Sequence, residues 1–418
     1  MTDGRQESFE PLEISSPPPS PSNEGWIAWM QVAGSWCLMF NCWLVGIVNT
    51  YGAFQTYYET DLLRGHSPSQ IAWIGSIQTF LFLFGGAIAG PLYDHGHFRT
   101  LLVVGTFLMV FGMIMVSLCT EYWHFVLAQG ITVGIGGACL FVPGIAILPT
   151  YFSSHLVFAM GVAGSGSGLG GVLYPIIFQQ LVKSVGFGWS TRAMAFIMLT
   201  TLLVSIFVMK FRPRPSTVRK LFDKSACKEP SFFLFAIGAF FGFIGVYMPL
   251  VYVAINATYH GMHPKLASYL LPTLNAGSVL GRIVPNYAAN KTGPMNMFIP
   301  TCFLLAALSF AWIGIDNNAG LIIFVTLYGF FCGAFMTLPF SIIAKLSPHL
   351  DVAGVRMGMI TAAGSFGILI GTPVGGAILH HGGWVALQSF GGAALAICGT
   401  AVLASRVYKA GWHVMTKV

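Results

Sequence analysis

Arg282 lies in an apolar run, and it is the one Asp, Glu, Lys or Arg placed within a hydrophobic segment. A guanidinium is planar, keeps its charge, and grips a carboxylate in bidentate geometry. An ionisable group inside a membrane is expensive, which makes Arg282 a candidate for anion binding or gating. A plainer alternative stays open. Lys291 follows nine residues later, so Arg282 could snorkel to a membrane face and pair with loop groups. Asn275 precedes Arg282 by seven residues, two helical turns along one face. It suits either ligand contact or an interhelical hydrogen bond. The same two readings apply to Asn41, Gln129 and Tyr174.

Two glycine-bearing stretches suggest moving parts. In the run from Tyr151 to Gly171, the residues Gly161, Gly164 and Gly168 approximate one helix face. A face of small residues lets helices meet backbone to backbone; static packing and sliding are both compatible with it. The second stretch, Gly90-Pro91-Leu92-Tyr93-Asp94-His95-Gly96-His97-Phe98-Arg99, reads as a loop after the second hydrophobic segment. Its Asp94 can pair with basic groups or cap a helix N-terminus across a seam.

Enzyme chemistry finds no support. No GxxxxGK[ST] phosphate loop occurs, and no nucleophile–base pair or metal cluster is visible. Neither cofactor nor metal is expected. The 8 cysteines include no CxxC pair and lie mostly in apolar runs, where cysteine acts as a small hydrophobe.

The elements that carry these residues follow from composition. Of 418 residues, 55% are hydrophobic and 8% charged, against about 25% charged in a typical soluble chain. Apolar runs near the roughly 20 residues that cross a bilayer recur along the chain. The reading is an all-α membrane protein with twelve transmembrane helices in two six-helix halves. Residues 1–25 form a disordered cytosolic tail, rich in Ser and Pro. The N-terminal half covers 26–209, a cytosolic linker 210–231, the C-terminal half 232–408 and a second cytosolic tail 409–418. Of the 20 Lys and Arg, fifteen flank the linker side, four (Arg64, Lys183, Arg192, Lys265) the other, and Arg282 lies between. That bias puts the linker and both termini in the cytosol. It also explains the net charge of +7 without nucleic acid. Of two glycosylation sequons, only Asn256-Ala257-Thr258 then faces outward.

An internal repeat supports the division. Gly137-Ala138-Cys139-Leu140-Phe141-Val142-Pro143 pairs with Gly333-Ala334-Phe335-Met336-Thr337-Leu338-Pro339, and Met160-Gly161 with Met357-Gly358. The offsets are 196 and 197 residues. Repeated halves that bind ligand at their interface are a transporter architecture.

The Gly90–Arg99 stretch resembles the cytosolic loop signature of the major facilitator superfamily. Tyr151-Phe152, Ala159-Met160-Gly161 and the following glycines resemble the helix-five signature of its monocarboxylate porter family. The entry Glu24-Gly25-Trp26-Ile27-Ala28-Trp29 is similar to the same family's first-helix entry. Gly277-Ser278-Val279-Leu280-Gly281-Arg282 looks like that of fungal members. The resemblance covers residues 24–408. It implies alternating access, with Gly90, Asp94, Arg99, Gly161, Gly164 and Gly168 as conformational motifs and Arg282 on a substrate carboxylate. It places Ser278 where carboxylate carriers often have Asp, and Asn49 and Tyr51 at the substrate-facing position of helix one. The expectation is a plasma-membrane transporter, monomeric in the bilayer, that exports a small organic, carboxylated or anionic metabolite. Uptake of a monocarboxylate, or a non-transporting sensor, are the alternatives.

Overall fold

The computed structural model describes residues 25–42, 47–212, 223–347 and 352–411. Almost all of the expected N-terminal tail, the middle of the linker and most of the C-terminal tail lie outside the described residues. Among those described, the chain is helical, with no strand.

Among the described residues, eight helices are long and apolar enough to cross a membrane. Two are far too long for one crossing: Leu156–Val208 has 53 residues and Ala353–Ala410 has 58. A helix rises about 1.5 Å per residue across a hydrocarbon core about 30 Å thick. Each turns at a glycine in the left-handed region, Gly186 with φ 77° and Gly383 with φ 74°. A side chain there would be strained. The two turns stand 197 residues apart, the offset of the sequence repeat. Dividing both helices raises eight segments to ten. Leu270–Thr292 is a further long helix, and Trp26–Cys42 and Ile47–Tyr57 lie in and after the region of the first expected segment. Residues 43–46 between that pair are outside the described residues.

Local signals set several boundaries. Ser67 caps Pro68–Phe84: its side chain accepts from the Gln70 backbone N–H, Gln70 returns the bond, and Pro68 fills the first turn. The Gly90–Asp94 stretch is not a loop. It ends the helix Gly86–Asp94, and the turn follows at Gly96, φ 90°.

Arg282 owes its position to a glycine-on-glycine contact. Gly277 and Gly281 of Leu270–Thr292 press on the backbone of Asn318–Leu346 at Thr326 and Phe330. Gly329 and Gly333 return the contact at Leu274 and Ser278. Four-residue spacing on both helices lets the backbones interlock, and Arg282, one residue on from Gly281, turns its side chain to the adjoining face that meets Gly164 and Ser167.

A Cβ at Gly281 would overlap the Phe330 carbonyl. Gly281→Val is therefore expected to destabilise the protein by about 1–3 kcal/mol and to lower its thermal unfolding midpoint by several degrees. Gly52→Ala, within the helix Ile47–Tyr57 and with nothing within 4 Å of the added atom, gains helix propensity without a clash and should not lower the midpoint.

Candidate functional site

Leu270–Thr292 lies antiparallel against residues 156–185, the first arm of Leu156–Val208. A polar seam joins them. At one end Asn290 Oδ1 accepts from the Val157 N–H at 3.1 Å. Further in, Arg282 Nη1 donates to the Gly164 carbonyl at 2.7 Å and to Ser167 Oγ. Asn275 Nδ2 donates to the Gly171 carbonyl at 3.1 Å. Seven residues separate both the donors and their carbonyl acceptors, so the two helices run in register.

The glycines make the seam possible. A Cβ at Gly161 would lie 2.7 Å from Asn286 Cβ, one at Gly164 2.5 Å from Thr337, and one at Gly168 2.7 Å from Val279. Removing side chains from this face exposes backbone carbonyls to donors on the facing helix. Asn286 Nδ2 donates to the Arg282 carbonyl and to Thr337 Oγ1, both at 2.7 Å. Ser167 Oγ also donates to the Gly164 carbonyl at 2.9 Å.

Arg282 is fully buried. A buried cation is costly unless hydrogen-bonded, and the Nη1 acceptors here are neutral groups from the other half of the chain. They can be exchanged for a stronger acceptor such as a carboxylate. Arg282 is also within electrostatic reach of Tyr247 and Cys332.

The expected site residues divide. Arg282, Asn275, Gly161, Gly164 and Gly168 meet in this seam. Ser278 joins them, donating to the Asn275 carbonyl at 2.8 Å and packing beside Gly168. Tyr51 requires correction: it is buried against Gly75, and its hydroxyl donates to the Ile71 carbonyl. Asn49 belongs to Ile47–Tyr57, and its side chain lies outside the described residues. Arg99 is exposed and donates to the Ile206 carbonyl at 3.0 Å, within its own half. Asn256 also requires correction as a glycan site. It is fully buried and accepts from Trp312 Nε1 at 3.0 Å. Asn41 and Tyr174 hydrogen-bond between N-terminal helices, and Gln129 Oε1 accepts from the Tyr58 hydroxyl in the same half. Ser167, Asn286 and Thr337 were missed. Their spacing was a usable signal, since Ser167 is one turn after Gly164 and Asn286 one turn after Arg282.

A second contact closes the end of the bundle that carries the linker. Asp94 Oδ2 accepts from the Val355 N–H at 2.9 Å, at the start of Ala353–Ala410. A carboxylate is favoured there by the helix dipole. A Cβ at Gly354 would lie 2.6 Å from that carboxylate, and Gly90 presses on the Gly354 carbonyl. Phe141 meets Phe340 across the halves at 5.6 Å, edge to face. A small apolar cleft beside them is lined by Met39, Leu148, Met160, Gly164, Thr337 and Phe340.

Next to Val355, Arg356, one of the fifteen linker-side cations, is fully buried. Its Nε donates to Asp223 at 2.9 Å, and Nη1 and Nη2 donate to Glu229 at 2.9 and 2.6 Å. The Phe232 ring lies 5.3 Å from the guanidinium carbon. Burial opposes ionisation of Asp223. Hydrogen bonds from Ser225 and Arg356, with the Arg356 charge, outweigh it and hold the carboxyl below the usual aspartate value.

Arg356→Ala leaves two carboxylates without their cation. Glu229 is partly exposed, so the expected loss is toward the lower end of the about 3–5 kcal/mol for a broken buried pair, read as a lower unfolding midpoint. The Asp223 contribution is complete above its unfolded value near pH 4 and is lost as pH falls through the lower folded value. Asp223→Asn should therefore lower the midpoint equally at pH 5 and pH 7, whereas this contribution in the unsubstituted protein is unchanged between them.

Comparison with known proteins agrees with this architecture. The sequence pattern of the Major Facilitator Superfamily matches residues 30–318 and 235–412. The chain is 44% identical over 381 residues to the MFS-type transporter dbaD of Emericella nidulans, covering 90% of this chain and 85% of that one. It is 36% identical to the aspyridones efflux protein apdF of the same organism, covering 96% and 83%. It is 35% identical to the fujikurins efflux protein of Gibberella fujikuroi, covering 93% and 84%. The crystal structure of the E. coli fucose:proton symporter FucP superposes with a TM-score of 0.69 at 15% identity, over 90% of this chain and 98% of that one. At that identity the likeness concerns the fold.

Proposed function

The chain belongs to the major facilitator superfamily, and we propose that it is a secondary transporter exporting a small anionic or carboxylated organic metabolite. The observation that carries this reading is Arg282. It is a buried cation at the contact between the chain's halves, with neutral Nη1 acceptors that an anion can replace. The efflux proteins among its relatives support the outward direction.

In this reading twelve helices cross the plasma membrane, with both termini and the linker in the cytosol and a single chain as the working unit. The contacts at Asp94 and along Arg282 then represent a state closed to the cytosol. The residues of the Tyr151–Gly171 run and Arg282 favour a carrier of the monocarboxylate porter type. Among the described residues, the buried carboxylates are Asp94 and Asp223, both at the linker end. A proton relay through a buried Asp or Glu midway is therefore not part of the proposal. Moving one charge through the membrane potential is worth about 2.3 kcal/mol per 100 mV. With a negative cytosol that force drives an uncoupled anion outward.

Two experiments test this. In reconstituted liposomes, Arg282→Lys keeps charge but loses the forked donor geometry, so transport should fall while insertion persists. Normal transport by both Arg282→Lys and Arg282→Ala would refute the anion site. Strict proton movement with substrate, beyond the substrate's own titration, would refute the uncoupled mechanism. For orientation, the exposed Cys227 should react with an impermeant maleimide only when the reagent reaches the cytosolic face.

A further inference from the structure

Arg282 Nη1 is held by two groups of the facing half, the Gly164 carbonyl and Ser167 Oγ. The hydroxyl of Ser167 spends its own hydrogen on the Gly164 carbonyl at 2.9 Å, so its lone pairs are turned to the guanidinium. Around this triangle the seam is closely packed, with the small apolar cleft at Gly164 and Thr337 lying beside it. Gly161 touches the Arg282 carbonyl and Asn286, Gly164 touches Thr337, and Gly168 touches Ser278 and Val279. At Nη1 a bound anion and the closed seam exclude one another.

We infer that Ser167, with the Gly164 carbonyl, is the release element of the cycle: as the linker end closes, it takes over Arg282 and displaces the anion. This rests on the reading of Arg282 as the anion-binding residue. A carboxylate is the stronger single acceptor for a guanidinium. Ser167 and Gly164 prevail through position. Closure presents them already oriented and tethered, at an effective concentration that a dilute solute cannot match. Ser167 is thus a positioning residue that acts through Arg282.

The test uses the full chain in lipid nanodiscs. Asn290, which accepts from the Val157 N–H at the seam's end, is replaced by Asn290→Cys, and maleimide labelling at position 290 is followed by peptide mapping. The probes are benzoate and hexanoate, with benzamide and hexanamide as neutral controls. The acids should speed labelling by holding Arg282 away from Ser167, and the amides should not. Ser167→Ala should lower the half-saturating acid concentration roughly ten-fold, the scale of one hydrogen bond to a charged group. Ser167→Cys, similar in volume but a weaker acceptor, should fall between. If Ser167→Ala titrates like the unsubstituted protein while Arg282→Gln abolishes the response, displacement by Ser167 is wrong and the anion site stands. If the acids leave labelling unchanged with and without Ser167→Ala, the anion reading fails and this inference with it.

Discussion

A buried guanidinium must have acceptors in every state the protein visits. Arg282 meets this requirement across the boundary between the two halves of the chain, using a backbone carbonyl and a hydroxyl. Much of the local structure follows from that bond. The carbonyl is approachable because Gly164 has no side chain. Arg282 faces it because Gly277 and Gly281 sink their helix into Gly329 and Gly333 on the other side. Asn275 and Asn290 extend the same register in both directions. Separating the halves here removes two acceptors from a cation, and something else must supply them.

The two fully buried arginines show how partner chemistry sets role. Arg356 is held by two carboxylates of the linker, Asp223 and Glu229, which precede the helix Pro230–Tyr259. Those charges neutralise it and tie the linker to the start of Ala353–Ala410. It anchors the start of Ala353–Ala410, whose next-door Val355 N–H meets Asp94. Arg282 has neutral Nη1 acceptors from the opposite half, and in the proposed function an anion takes their place. One arginine therefore suits fixed architecture and the other an exchange of partners.

Much of this was legible in the residues. Hydropathy indicated long apolar helices, because membrane insertion depends on length and apolarity, and Gly186 and Gly383 repeat the 197-residue offset of the sequence repeat in the backbone. Arg282 stood out because a charge in an apolar run has few explanations. Glycine spacing indicated the face that meets it. Arg356 was hidden because it lies at a segment end, where position alone does not distinguish a solvated cation from one enclosed by Asp223 and Glu229. Asn256 carries a valid sequon, but a tripeptide holds no record of Trp312 packing over it. Tyr51 was assigned by resemblance, and a contact with Ile71 twenty residues away cannot be read from its neighbours. Asp94 has two expected partners at a seam, basic groups or a helix N-terminus; the structure shows the second, the Val355 N–H at the start of Ala353–Ala410.

Ser278 gives the arrangement its energetic character. An Asp one turn before Arg282 would offer the guanidinium a permanent counter-charge within its own helix, and the pair would stay neutral whichever way the halves faced. Binding an anion would then require that carboxylate to be protonated or displaced, which ties substrate to protons. Serine supplies no charge. Its hydroxyl is spent on the Asn275 carbonyl, and its side chain fits beside Gly168. The competitor for Arg282 thus comes from the facing helix instead of its own. A competitor on the same helix is present throughout the cycle. In the proposed cycle, one on the facing helix arrives only when the seam closes, so the geometry that would close one side of the path is also the geometry that would weaken the hold on the anion.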